Sequence, residues 1–587
     1  MLGIDLVEWS TQFTSSVWSL PMFLLLLGCG LVFTLATKFV QWRILTHGFS
    51  CIRGHFDRPG DTGHVNHFQA LCAALSGTIG LGNIAGVAVA VSLGGPGAVF
   101  WMWIIGVFGM ALKFMECTLA VMFRDVRRKG DGGDVSEREV FDPSLHEVRG
   151  GPMWYIQKAF VDPIRAIGNP AWFVFKVLAI LFAASTAIGA LGQGNMFQGW
   201  NVAEVLETNF KVPRWGSAAV MALLVASVII GGIRRIGEVA SRLVPFMCIV
   251  YLLGALWIII VHASEIPEYL SLIVRSAFSP TAGMGAFAGT SVWIAFQHGL
   301  RRALFSNEAG QGSAAMAHAA ARTDEPIREG VVAGIGPFID TLIICTMSAL
   351  VLLMTGVWNR PAVGSIEAIE GNAVQVTLNQ DTSERYQRAC LAEMNAVKEQ
   401  TLAIHVEQTR GVEPERVVLP IVAFDGDPES EWSSLRGLSL SLKDVTDKER
   451  AELAIGQAVH LDITGAKMTS FAFDTVVAGF GKYAITLGVC LFAFSTMITW
   501  SYYGERGAEY LLGSFAVLPY KIVFVVFIVI GMMLDRFDVV YNFSDGLIGI
   551  MAFCNLPAVL LLSPTVLRAA RGYFRRLDSG EMPRVSR

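Results

Sequence analysis

The chain has 587 residues, 53% of them hydrophobic and only 16% charged, and its mean hydropathy is +0.51. Soluble proteins carry about 25% charged residues, so the apolar surface here exceeds what one core can bury and much of it must face lipid. A net charge of −4 gives no sign of a nucleic-acid footprint, which shows as clustered basic residues with a high pI. Eight of the nine cysteines sit in or beside apolar runs or in the first loop, and no CxxC or zinc-ligand spacing occurs, which argues against a disulfide framework.

A membrane-spanning helix needs roughly 17–25 mostly apolar residues, and eleven runs qualify as candidates. The first, Val17–Thr37, follows Asp5 and Glu8 rather than a basic stretch, so it is expected to be a retained helix and not a cleaved leader. The others run approximately Phe68–Leu93, Gly97–Met122, Trp172–Phe197, Trp215–Gly231, Leu243–Val261, Met284–Leu304, Gly330–Met354, Phe471–Trp500, Tyr520–Leu534 and Asn542–Leu562.

Lys and Arg concentrate in cytoplasmic loops. The tail with Arg568, Arg571, Arg575 and Arg576 is therefore expected inside, and eleven spans then put the N-terminus outside. Arg43, Arg53 and Arg58 fall inside on that count, as do Arg124, Arg127, Arg128 and Lys129, then Arg234, Arg235 and Arg242. Between spans eight and nine lies a polar, mixed-charge segment, Val357–Lys467, strand-rich at Arg416–Phe424 and Ala458–Ile463. It is expected to be an external, α/β-like insertion domain.

The second span carries Ser76-Gly77-Thr78-Ile79-Gly80-Leu81-Gly82-Asn83-Ile84-Ala85-Gly86. Each glycine costs a continuous helix about 1 kcal/mol against alanine, so a break is expected here. Irregular backbone at membrane depth survives only where protein or a water-filled site satisfies it. A half-helix starting near Gly82 aims amides and a positive dipole end at an anion, and the carbonyls of Ser76 to Ile79 are left for a cation. The competing reading is a small-residue helix-packing face. A second polar, glycine-bearing interruption, Phe305-Ser306-Asn307-Glu308-Ala309-Gly310-Gln311-Gly312-Ser313, ends span seven. Paired interruptions in two halves point to a transport site.

The stretch Ser76–Gly86, followed by Leu93-Gly94-Gly95-Pro96-Gly97-Ala98-Val99-Phe100-Trp101-Met102-Trp103, resembles the signature of the alanine/glycine:cation symporter (sodium:alanine symporter) family. Gly150-Gly151-Pro152-Met153-Trp154-Tyr155-Ile156, Gly194-Asn195-Met196-Phe197-Gln198 and Gly299–Gly310 resemble it too. The resemblance covers about Phe68 to Glu505 without the polar insertion, whose size departs from the family pattern.

The resemblance implies an all-α polytopic membrane protein with a five-plus-five inverted repeat of the amino acid–polyamine–cation type after one extra N-terminal helix. The expected parts are an N-terminal helix and loop (1–66), repeat one (67–263), repeat two (284–356 and 470–567), the insertion (357–467) and a basic tail (568–587). It implies a symporter of the cell (inner) membrane that imports alanine or glycine with Na⁺ by alternating access. A proton-coupled carrier using Glu308 or Asp340 is the alternative, and a channel or receptor with an external sensing domain is a more distant one. No HExxH, GxSxG or P-loop supports an enzyme.

Residue by residue, the resemblance assigns substrate contacts to Thr78, Gly80, Leu81, Gly82, Asn83, Gln198, Phe305, Ser306, Thr496 and Trp500, with the amides of Gly80–Asn83 and the Asn83 side chain on the carboxylate. It assigns Na⁺ to Ser76, Ile79, Ser495 and Thr496, oxygen ligands suited to a hard, weakly held cation. Bland readings stand beside these. Gln198 can be inter-helix glue, Ser495 and Thr496 can bond back along their own helix, and Trp500 can belong to an interfacial aromatic belt. Lys113 and Glu116, one turn apart, are expected to neutralise each other.

Overall fold

The computed structural model describes residues 6–128, 141–279, 292–380, 387, 390, 402–425, 437–442 and 453–584, except for one to three positions here and there within those runs. The expected start of span seven, Met284 to Ser291, lies outside the described residues, as does Lys129. The bulk is a helical bundle. Among the described residues eight helices are long and apolar enough to cross a membrane, or nine with one bent pair counted as a span. The other two expected spans correspond to shorter helices, Arg214–Ile229 and Val292–Asn307. Leu223, Trp257 and Leu561 are exposed around the bundle, the face such a protein turns to lipid.

Seven helices surround the break in the second span or lead into it. The bent pair is α1 (His67–Thr78) and α2 (Val87–Gly94). It is followed by α3 (Gly97–Met122), α4 (Val292–Asn307), α5 (Ser313–Ala319), α6 (Gly465–Asp474) and α7 (Phe480–Leu512). Helix α1 starts in a capping box: the Asn66 side chain accepts from the Gln69 amide at 2.8 Å and Gln69 Oε1 accepts from the Asn66 amide at 3.1 Å. Where one span was expected over Phe471–Trp500, two helices stand: α6 stops at Asp474 and α7 begins at Phe480 and continues to Leu512.

The described residues of the insertion are mostly strand, with Gln387 and Cys390 helical. Its described strands are β1 (Gly364–Glu370), β2 (Ala373–Leu378), β3 (Leu402–Arg410), β4 (Glu413–Asp425), β5 (Gly437–Leu442) and β6 (Ala458–Leu461). They close into a barrel in the order β1-β2-β5-β4-β3-β6, with β6 pairing back onto β1 through Gly364 opposite Val459. Alternation explains it: Val374, Val376 and Leu378 are buried while Gln375 and Thr377 between them are not. From β6 the chain runs within a few residues into α6, which packs on the broken span at Gly82–Gly86.

The opposite end of the bundle is tied shut by buried polar contacts. The Arg124 guanidinium donates to the carbonyls of Ala319 (3.2 Å), Ala321 (2.9 Å), Thr62 (2.9 Å) and Thr323 (2.6 Å). Glu329, fully buried, accepts from His67 Nδ1 and, at 2.5 Å, from His318 Nδ1. Beyond Trp500 on α7, Arg506 pairs with Glu505, with Glu509 at 2.6 Å and with Glu147 at 3.0 Å. Removing Arg124 takes a donor from four carbonyls at once, of which, among the described residues, only that of Thr62 keeps a backbone partner, the Thr323 amide at 3.0 Å. Arg124→Ala is expected to lower stability by about 2–4 kcal/mol, read as a fall in the thermal midpoint of the purified protein, whereas Arg127→Ala, at a side chain 42% exposed, is expected to cost far less.

Candidate functional site

The break in the second span falls at Ile79 and Gly80. Helix α1 ends at Thr78, and Ile79 leaves it in extended geometry at φ −76° and ψ 98°. A π-helical turn, Gly82–Gly86, leads into α2, and the two halves differ by 54°. The Gly80 amide donates to Asn83 Oδ1 at 2.9 Å. The amides of Leu81 and Gly82 head the second half-helix, where the first N–H groups have no intrahelical acceptor. Glycine leaves room at position 80, where a Cβ would stand 2.9 Å from Thr496 Oγ1 and something would have to shift.

These residues line a small chamber with Gly77, Thr78, Gln193, Gln198, Phe305, Glu308, Gln311, Thr496, Trp500 and Ile548. Its volume is about 20 Å³, room for one water-sized body. Its walls hold several buried polar atoms with no partner: Gln198 Oε1, both amide atoms of Gln193, Gln311 Oε1 and Thr496 Oγ1. Buried polar groups in proteins are nearly always satisfied, so this concentration marks a place built to receive polar atoms from elsewhere. Leu81, Gly82 and Phe305 also line a vestibule of about 610 Å³ that includes Gly465, Ala466 and Lys467 at the foot of the barrel. Phe305 stands between the two spaces, with the Arg302 guanidinium 5.8 Å from its ring centre.

Of the residues expected to touch substrate, Thr78, Gly80, Leu81, Gly82, Gln198, Phe305, Thr496 and Trp500 meet around the chamber. Asn83 and Ser306 are turned elsewhere. Asn83 Nδ2 donates to Asp340 Oδ1 and, at 3.0 Å, to Ser306 Oγ, and Ser306 donates to Asp340 Oδ1 at 2.8 Å. The reason is the fully buried Asp340 carboxylate, which has no ion pair among the described residues and draws in every nearby donor. Asn83 thus ties the first break to span eight while its Oδ1 caps Gly80.

The residues expected to hold a cation also converge. Ser76 Oγ donates to the Ser495 carbonyl at 2.6 Å, and Ser495 Oγ lies 3.3 Å from the Ser76 carbonyl and 2.9 Å from that of Phe492. The second Ser495 contact is the back-bond of the bland reading, and both occur together. Thr499 Oγ1 donates to the Ala73 carbonyl at 3.0 Å, adding a further α1–α7 tie. Trp500 is buried within the bundle, not in a lipid-facing belt. Its Nε1 donates to Glu308 Oε1 at 3.2 Å and lies 3.4 Å from the Gly77 carbonyl.

Gln193 and Gln311 were not singled out from sequence. The signal for Gln193 was present: Gly192-Gln193-Gly194-Asn195 repeats the Gly-x-Gly-Asn of Gly80–Asn83, and a π-helical turn starts at Gly192 in one stretch and at Gly82 in the other. Close approach explains the glycines again, since a Cβ on Gly194 would lie 2.4 Å from Trp500 Cβ.

A helical bundle with a broken span, a polar-lined chamber at the break and a vestibule above it defines a multi-pass membrane transporter. The chain matches the sodium:alanine symporter family over residues 4–384 and 452–587 and belongs to it. The unmatched stretch carries β3, β4 and β5 of the barrel. The sodium/alanine symporter AgcS of Methanococcus maripaludis is 33% identical over 571 residues, 97% of this chain and 98% of the relative. YrbD of Bacillus subtilis, described by its name as a sodium/proton-dependent alanine carrier, is 29% identical over 98% of this chain and 94% of its own. Among solved structures, MhsT in complex with L-phenylalanine shares 11% identity at a TM-score of 0.45 over 85% of this chain and 89% of its own, too loose a likeness to bear on the site.

The Asn83–Asp340 tie makes a charge-exchange test. Asn83→Asp sets two carboxylates together and is expected to lower the thermal midpoint by an amount corresponding to about 2–4 kcal/mol. Adding Asp340→Asn restores one amide and one carboxylate and is expected to recover most of that loss.

Proposed function

We propose that the protein imports a small neutral amino acid, alanine or glycine, together with Na⁺ by alternating access. The observation that carries this reading is the chamber at the break, lined by Leu81 and Gly82, whose amides head the second half-helix, and by buried side-chain polar atoms that lack partners. A carboxylate suits those amides. Na⁺ suits the carbonyls and hydroxyls of Ser76, Ile79, Ser495 and Thr496 between α1 and α7. Holding α1 against α7 sets the geometry of the break, so ion and amino acid favour each other's binding. The five-plus-five inverted repeat, with the breaks at Gly80 and Glu308 in equivalent positions, supplies the two-sided access.

One charge moving inward across 100 mV contributes about 2.3 kcal/mol, enough for roughly fifty-fold accumulation. In proteoliposomes an inward Na⁺ gradient alone is expected to drive alanine or glycine uptake, and a proton gradient alone is not; equal uptake without Na⁺ overturns the choice of ion. Thr496→Ala is expected to raise the Na⁺ concentration for half-maximal uptake more than it changes substrate preference. Proton coupling through the buried Asp340 is the second reading, favoured by its lack of an ion pair among the described residues.

The Trp500 indole closes one wall of the chamber. Trp500→Ala is expected to admit valine and leucine while weakening alanine, against the 1–3 kcal/mol that one methylene changes in a roomy pocket. A competition panel of neutral amino acids reads the rank order, and an unchanged order rejects the wall.

The barrel faces outward and the basic tail inward, in the cell membrane, in this reading. Glu370 is exposed on β1. A cysteine introduced by Glu370→Cys is expected to react with an impermeant maleimide on intact cells, above the background of the unaltered protein; reaction only after lysis reverses the orientation.

A further inference from the structure

Glu308 is the one charged side chain among the residues that line the chamber. It follows the last residue of α4 and sits at φ 53°, the left-handed conformation that glycine ordinarily fills after a helix. A glutamate kept in that conformation, buried to 3% exposure in the middle of a membrane protein, is there for its side chain. The carboxylate is only partly satisfied. Oε2 accepts from Ser313 Oγ at 2.5 Å and Oε1 from Trp500 Nε1 at 3.2 Å, both neutral donors. Lys113 is buried nearby on α3, yet Glu308 forms no ion pair within 4 Å among the described residues. The same indole N–H lies 3.4 Å from the Gly77 carbonyl, so a carboxylate and a backbone carbonyl converge on one indole N–H beside the chamber.

We propose that Glu308 receives the α-ammonium group of the substrate, with the Gly77 carbonyl as its second acceptor. This rests on the reading of the chamber as an amino-acid site and extends it. The amides of Leu81 and Gly82 offer positive ends to a carboxylate, and Glu308 offers the complementary charge to the amino end. The chamber is then matched to a zwitterion. It rejects a carboxylic acid of the same shape that lacks the ammonium, since such a ligand leaves a buried carboxylate uncompensated. Glu308 also restrains Trp500 through its indole N–H, so the group that recognises the amino end sets the wall that limits the side chain.

The test uses the full-length protein in nanodiscs with Na⁺, measuring binding of radiolabelled L-alanine and its displacement by L-lactate, which replaces the ammonium by a hydroxyl. Glu308→Gln is expected to weaken alanine by about 10- to 100-fold, the range of a lost charge-assisted hydrogen bond. Displacement by lactate, read against whatever labelled ligand remains bound, is expected to change less than about threefold, so the preference for alanine over lactate narrows. A Na⁺-dependent rise in thermal midpoint reports that the variant is folded. Glu308→Asp, which keeps the charge but withdraws it by one methylene, serves where the Gln variant does not fold, with an intermediate loss for alanine and none for lactate. Alanine binding unchanged in the folded Gln variant, or equal losses for alanine and lactate, overturns the assignment while leaving the chamber as the amino-acid site. Absence of Na⁺-dependent alanine binding by the unaltered protein removes both.

Discussion

A polypeptide that interrupts its own helix inside a bilayer must find partners for the backbone groups it releases, because no water is there to take them. Each unsatisfied group costs several kcal/mol in hydrocarbon, so a break at Ile79 and Gly80 persists only because its surroundings are arranged for it. Part of the cost is met internally: Asn83 caps the Gly80 amide and is itself held by Asp340 and Ser306. Part is met across the bundle, where Ser76 and Ser495 exchange contacts between α1 and α7. What remains unpaired faces the chamber. The polarity of the site is thus the remainder of an incomplete pairing, which in the proposed reading the substrate carboxylate completes.

That arrangement also explains the asymmetry of the molecule. On the barrel side a vestibule of about 610 Å³ reaches Phe305 and the head of the second half-helix. On the far side Arg124, the His67–Glu329–His318 cluster and the Arg506 ion pairs bind the elements together through buried contacts. The chamber between them, at about 20 Å³, is contracted, so in the proposed reading its walls, Phe305 and Trp500 among them, part to admit an amino acid. Helix α6 joins the barrel to the broken span, which places the insertion at the rim of the route and not at a distance from it.

Much of this was legible in the residues. Four glycines around Thr78 and Asn83 announced the break, and the polar run after Phe305 announced its counterpart. That Thr496 and Trp500 share a helix face followed from their one-turn spacing, and the family resemblance set that face toward the substrate. The direction in which Asn83 and Ser306 point was not legible, because it depends on Asp340, far away from Asn83 in the chain and one of several buried carboxylates with equal claim. Glu308 read as a candidate proton carrier; only its left-handed backbone and its contact with Trp500 make it part of the chamber floor. Hydropathy alone also ran spans together or cut them short: α6 and α7 look like one apolar stretch, and the barrel's closure depends on β6 pairing with β1 across a long stretch of chain.

Ion and amino acid share one piece of irregular backbone in this mechanism, and equilibrium binding tests that sharing most directly. Alanine affinity of the purified protein is measured across a Na⁺ titration, and Na⁺ affinity across an alanine titration. Each ligand is expected to raise the affinity for the other, by the same factor in both directions, as linkage requires. Alanine binding with an affinity independent of Na⁺ concentration would contradict the shared site.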